Sequence, residues 1–170
     1  PILDDSLIEG TETLAVGLVD PDGGDQVNFA GSANVDITSS NTAAIGITYS
    51  GGAVAEPGTA SFVLTETNGV TLDTDYTVSL SFSGAGITGG DYTDPGVITV
   101  NSGNLPLTVN VPILDDSLIE ATETLAVALV DPDGGDQVNF AGSANVDITS
   151  SNTAAIGITY SGGAVAEPGT

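Results

Sequence analysis

Carboxylates are the only charged side chains in this sequence. Its 170 residues include 23 Asp and Glu and no Lys, Arg or His, for a formal net charge of −23. The densest stretch is Asp115-Asp116-Ser-Leu-Ile-Glu120-Ala-Thr-Glu123, four carboxylates in nine residues. Like charges about 4 Å apart repel by about 1 kcal/mol in bulk water and by more near a protein surface. No basic side chain can neutralise them. A hard cation can, and calcium takes 6–8 oxygen ligands drawn from several loops. The same residues also read as solvated turns, because Asp favours turn geometry. A second cluster, Asp131, Asp133 and Asp136, repeats as Asp20, Asp22 and Asp25. Its spacing resembles part of a calcium loop but lacks the full EF-hand or nonapeptide pattern. A polar hairpin loop explains it equally well.

The absent residue types exclude much else. Without His, Cys and Lys there is no imidazole base, thiolate nucleophile or Schiff-base amine. Zinc sites of His and Cys cannot form. Phosphate backbones and anionic membrane surfaces need Lys and Arg, so nucleic acid and lipid headgroups are not expected partners. No apolar run approaches the ~18 residues of a membrane span. A carboxylate pair could in principle hydrolyse a glycosidic bond, but no insertion builds a cleft, so the chain is not expected to be an enzyme.

The elements that must position these acids follow from an internal repeat. Residues 1–59 recur as residues 112–170, an offset of 111, with only Gly10→Ala121 and Gly17→Ala128 different. A period of 111 suits a complete small domain rather than a solenoid unit. Alternating runs rich in Val, Ile, Thr, Tyr and Phe predict strands over 43–49, 59–66, 76–83, 96–100, 105–114, 123–130 and 143–149. Seven strands in about a hundred residues predict an all-β, seven-stranded antiparallel sandwich of immunoglobulin-like type, in tandem repeats of 111 residues. On that phase residues 42–152 form the complete unit. Residues 1–41 are the C-terminal part of a preceding unit, and 153–170 the first strand of a following one. The chain starts without Met or a leader and reads as an internal piece of a longer polypeptide. Residues 42–152 are expected to fold alone and 1–41 are not, since a half-sandwich cannot bury a core.

Alternating strand directions gather Glu56, Asp91, Asp94, Asp115, Asp116, Glu120 and Glu123 at the pole where the chain leaves the unit. The opposite pole collects Asp73, Asp75, Asp131, Asp133 and Asp136. With a linker of about two residues between units, acid is expected to meet acid at the junction.

The run Val111-Pro-Ile-Leu-Asp-Asp-Ser-Leu-Ile-Glu-Ala-Thr-Glu-Thr-Leu-Ala-Val-Ala-Leu resembles the signature of Calx-beta domains. Those are the calcium-binding sandwiches of sodium/calcium exchangers, found also in integrin β4 and in large bacterial surface proteins. Gly90-Asp91-Tyr92 resembles the family's Asp-Tyr element and Glu56-Pro57-Gly58 its early Glu element. The resemblance spans the whole unit and implies calcium ligands at Glu56, Asp91, Asp115, Asp116, Glu120 and Glu123. In the preceding partial copy it implies Asp4, Asp5, Glu9 and Glu12. A final acidic run of the family is replaced here by Ser150-Ser151-Asn152. Fewer charged ligands imply calcium held in the weak range of extracellular modules.

The expected role is a structural repeat of a large extracellular surface adhesin or filament, an extended rod stiffened by calcium. Its partners would be adjacent repeats of the same chain and other copies in a filament. The lack of Lys and Arg leaves no site for trypsin-like proteases, which suits an extracellular or cell-surface setting. The alternative is a module whose loops recognise a carbohydrate or a protein. Its aromatic content of 5%, mostly within predicted strands, speaks against that.

Overall fold

The computed structural model describes all residues except 22, 24, 25, 27, 28, 133, 135, 136, 165, 169 and 170. The acids Asp22, Asp25, Asp133 and Asp136 of the second cluster therefore lie outside the described residues. The described residues form strands and no helix. Residues 1–41 supply β1 (Leu7–Ile8), β2 (Glu12–Gly17) and β3 (Ser32–Ile37). Then follow β4 (Ala43–Thr48), β5 (Val54–Ala55), β6 (Gly58–Glu66), β7 (Thr71–Leu72), β8 (Tyr76–Ser83) and β9 (Ile98–Val100). The last are β10 (Leu107–Ile113), β11 (Glu123–Val130), β12 (Val138–Phe140) and β13 (Ser143–Thr149).

Two sheets carry the fold, one in the order β10-β6-β4-β12 and one in the order β5-β13-β11-β8-β9. Their strands show the alternation that a one-face-buried sheet requires. Along β11, Leu125, Val127 and Leu129 are buried and their neighbours are not. Ile45, Phe62, Leu64 and Val111 of the first sheet share one core cluster with Val78, Leu125, Val127, Val146 and Ile148 of the second. Each such side chain contributes about 1.5–3 kcal/mol by leaving water. This core fixes the loops at both ends.

The sheets are mixed, which corrects the expectation of a purely antiparallel sandwich. β12 runs parallel to β4, and β5 runs parallel to β13. The chain crosses from one sheet to the other between β4 and β5, at Ser50-Gly51-Gly52. The two halves of that split strand thus join different sheets, β4 inside the first between β6 and β12 and β5 at the edge of the second. Period-2 patterning fixes which face is buried and carries no information on direction. Strands of two or three residues, such as β5 and β12, are too short to show a period at all.

The copies outside the complete unit behave differently from their twins. β2 and β3 pair antiparallel, as β11 and β13 do, yet Leu14 and Val16 are half exposed whereas Leu125 and Val127 are fully buried. No strand forms among the described residues of 153–170, and Ile156 and Ile158 are fully exposed. The junction between residues 1–41 and the complete unit is more than acid facing acid. β1 pairs in parallel with β7, and Ile8 and Leu72 join the core cluster there.

Candidate metal centre

Three of the sequence-predicted acids converge. Carboxylate oxygens of Glu56, Asp91 and Glu120 all lie within 4.8 Å of one another. Each comes from a different loop. Glu56 directly follows β5, and its N–H donates to the Thr149 carbonyl at 3.1 Å, which ties the loop to the end of β13. Asp91 sits in the loop between β8 and β9. Its backbone is anchored where the Leu114 N–H donates to the Asp91 carbonyl at 2.9 Å and Tyr92 bridges to Ile113. The Tyr92 ring stacks on Phe82 with centroids 4.3 Å apart. The Thr88 N–H donates to the Asp91 carboxylate and aims it. Glu120 lies on the acidic segment between β10 and β11.

That segment is shaped by its own side chains. Ser117 adopts the left-handed region at φ 66°, and two Asp side chains brace the turn around it. Asp115 Oδ1 accepts the Ser117 N–H at 3.0 Å, and Asp116 Oδ1 accepts the Leu118 N–H at 2.9 Å. These are Asx turns, the local bond that makes Asp a turn residue. Asn152 Nδ2 donates to Asp115 Oδ1 at 2.9 Å and to the Leu118 carbonyl at 2.8 Å. Ser150 Oγ donates to the same carbonyl at 2.9 Å. The Ser150-Ser151-Asn152 run, which from sequence replaces acidic ligands with weaker ones, clamps the acidic loop by donating to it. Only the opposing loop reveals that role, although neutral donors are the natural partners in a chain without cations.

The group is electrostatically strained. Glu56 and Asp91 are buried, each only 4% exposed, and Glu56 Oε2 has no hydrogen-bond partner. Burial pushes the Glu56 carboxyl above its ordinary value, and the charges of Glu120, Asp116, Asp91 and Asp115 push it further. Burial raises Glu120 as well, helped by Asp116, Glu123 and Asp91. Asp115 moves the other way, lowered first by the Asn152 amide and then by the Ser117 N–H. Asp116 thus acts on both Glu56 and Glu120, but Asp115, Asp116 and Glu123 stand outside the three-carboxylate group. Glu123 packs against Gly86, whose φ of 85° and missing Cβ make room for the carboxylate. The Asp94 carboxylate is occupied locally, accepting the Gly96 N–H at 2.8 Å.

The preceding copy repeats the turn but not the group. Asn41 Nδ2 donates to Asp4 Oδ1 at 2.9 Å and to the Leu7 carbonyl at 3.0 Å. The Leu7 N–H donates to Asp5 Oδ1 at 3.1 Å. Asp4, Asp5, Glu9 and Glu12 instead line a cavity of about 170 Å³ with Ile37 and Thr38. Those two residues are the twins of Ile148 and Thr149, which pair with β5 in the complete unit. Among the described residues, no counterpart of Glu56 or Asp91 stands beside the first copy to complete it.

The donor set suits a hard cation. It offers oxygen alone, with no imidazole or thiolate. Two oxygens bound to one ion at about 2.4 Å can be at most about 4.8 Å apart, and the three carboxylates meet that pairwise limit. An unpaired buried carboxylate among like charges is costly, and a divalent ion offsets that cost directly.

The sequence profile of the Calx-beta domain matches residues 1–41 and 43–152. No curated protein sequence matches the chain. Among solved structures, the apo form of the Calx CBD1 domain is similar at 17% identity and a TM-score of 0.44, with 64% of this chain and 98% of that one aligned. CBD12 from CALX1.2 is similar at 18% identity and a TM-score of 0.49, with 63% and 44% aligned. The calcium binding domain CBD12 of CALX1.1 is similar at 17% identity and a TM-score of 0.43, with 61% and 44% aligned. The chain thus spans less than half the length of the two CBD12 structures. With the family profile matched on both sides of residue 42 and over most of its length, the chain belongs to the Calx-beta domain family.

Proposed function

We propose that the complete unit binds calcium between Glu56, Asp91 and Glu120, and that it is a non-catalytic, sandwich-type structural repeat of an extended extracellular rod. The observation that carries the metal assignment is the Glu56 carboxylate, buried, with one oxygen unpartnered, inside a three-carboxylate group in a chain with no basic side chain. Asp116, whose charge acts on both glutamates, is the next ligand to complete the shell from the loop side. The family resemblance makes calcium the expected ion. Three carboxylates with a neutral Ser150-Ser151-Asn152 clamp fit the weak range, on the order of 10⁻⁴–10⁻³ M.

The rod follows from the tandem repeat and the short linker. Partners are the adjacent repeats and, in a filament, other copies of the chain. The setting is extracellular or at a cell surface, where calcium at this affinity would be bound.

Titration calorimetry and thermal melts at matched ionic strength test the metal. Calcium should raise the melting temperature, and at a hundredfold excess over Kd the gain is about 2.7 kcal/mol. Ionic strength is matched because salt alone relieves repulsion. Identical melts in calcium and chelator would overturn the metal assignment. Small-angle scattering on several tandem repeats tests the rod, and a compact, folded-back particle would overturn it.

A further inference from the structure

We propose that Leu118 and Ile119 are a docking strand for a further copy of the 111-residue unit following Asn152, pairing in parallel with its counterpart of Thr71–Leu72. The proposal rests on the tandem-array part of the reading above and needs no metal.

The chain contains the same loop twice, once covered and once bare. Residues 1–9 and 112–120 are identical. Their internal geometry matches as well. Ser6 and Ser117 have φ of 60° and 66°. In both, the following Leu N–H is held by the second Asp, and the first Asp by an Asn amide. The surroundings alone differ. Leu7 and Ile8 pair with Thr71 and Leu72, and the Thr71 N–H donates to the Ser6 carbonyl at 3.1 Å. Gln137 Nε2 reaches across to the Ser39 carbonyl at 2.7 Å. Ile8 is 1% exposed, whereas its twin Ile119 is 58% exposed.

The loop therefore holds its docked shape with or without a partner. Binding to it costs little ordering, which is the benefit of preorganisation. The mode is strand addition, in which main-chain bonds give orientation and a side chain enters a pocket. The occupant follows from the observed junction. A β7 edge is what covers Leu7–Ile8, and an identical segment takes an identical edge. Within this chain β7 is already covered by Leu7–Ile8, so a second molecule of the same chain offers no free β7. A unit joined in phase after Asn152 does, and its counterpart of Gln137 would meet the Ser150 carbonyl as Gln137 meets Ser39.

The chain has no Cys, so single-thiol labelling reads each position cleanly. Ile8→Cys, Ile119→Cys and the exposed control Val97→Cys are labelled in metal-free buffer. Each is placed in the 170-residue chain and in a chain extended in phase by a second pass of residues 60–170. Ile119→Cys should react freely in the first and about tenfold or more slowly in the second, as for groups reached only through local opening. Ile8→Cys should be slow in both and Val97→Cys fast in both. Hydrogen exchange of the Thr71 amide in the unsubstituted chain should show protection, which guards against a variant that misfolds. Equal Ile119→Cys rates in the two chains would overturn the proposal, as would an unprotected Thr71 amide. Because calcium is absent throughout, failure of the metal assignment cannot produce either result.

Discussion

The side-chain amide of Asn152 donates to Asp115 Oδ1 at 2.9 Å, and Asn41 meets Asp4 at the same distance in the other copy. An acidic residue at position 152 could only accept. The neutral clamp thus keeps the acidic loop closed where no cationic side chain exists to do so. Asn152→Ala should lower the metal-free melting temperature, and Asn152→Asp should lower it further by adding a like charge. Calcium should recover more of the loss in Asn152→Asp than in Asn152→Ala. Thermal melts with and without chelator check the order, and an Asn152→Asp variant as stable as the parent in chelator would contradict the clamp.

Glu56→Gln should act in opposite directions in the two metal states. Without metal it removes a buried charge with an unpartnered oxygen, a group whose burial costs about 1–3 kcal/mol. The variant should then be more stable than the parent in chelator. With calcium it loses a charged ligand, so the gain on adding calcium should shrink. Paired chemical denaturation curves measure both. A variant less stable than the parent in chelator would show that Glu56 is not under strain.

Acid should first stabilise and then destabilise the metal-free protein. The Glu56 and Glu120 carboxyls lie above their ordinary 4.5. Raised carboxyls bind protons more tightly in the folded state, so stability grows as pH falls from neutral through the raised values towards 4.5. Asp115 and Asp4 lie below their ordinary 3.8, chiefly through the amides of Asn152 and Asn41. Their contribution is complete above 3.8 and is lost as pH falls through the lowered values. Excess calcium should abolish the first rise, since protons then displace a bound ion. A monotonic loss of stability from neutral pH downwards in chelator would contradict this.

Identical residues in the two copies should carry unequal weight. Leu125 is fully buried and its twin Leu14 is 46% exposed. Leu125→Ala should cost about 2–5 kcal/mol, and Leu14→Ala within about 0.5 kcal/mol. Denaturant titration of the full chain gives both values. Similar costs would mean that residues 1–41 share a core of their own.

Much of the fold is legible in the sequence. The alternation in 76–83, 123–130 and 143–149 coincides with β8, β11 and β13, because a half-buried strand must show period 2. The acids that meet were also legible as one pole, since alternating strand directions bring Glu56, Asp91 and Glu120 to the same end. Which of the seven acids at that pole face one another was not. Asp116 and Glu120 are four residues apart on one loop, and only the turn at Ser117 and the clamp from Asn152 decide which points inward. The parallel edges β5 and β12 were illegible for another reason, being pairings between distant segments too short to show a pattern.

The hexapeptide Ala-Ala-Ile-Gly-Ile-Thr occurs at 43–48 and at 154–159. By itself it determines an extended, apolar-alternating segment, and the tyrosine that follows each copy makes the same local bond, to the Gly52 or Gly163 carbonyl at 2.6 Å. Whether it becomes a strand is a tertiary decision. Residues 43–48 pair with β6 on one side and β12 on the other, and Ile45 is buried to 1% exposure. Residues 154–159 meet neither partner, and Ile156 is 98% exposed. A strand's hydrogen bonds and its apolar face are both satisfied by neighbours far away in the chain. The sequence can therefore prescribe the pattern, while only the assembled sheets supply the partners that turn it into structure.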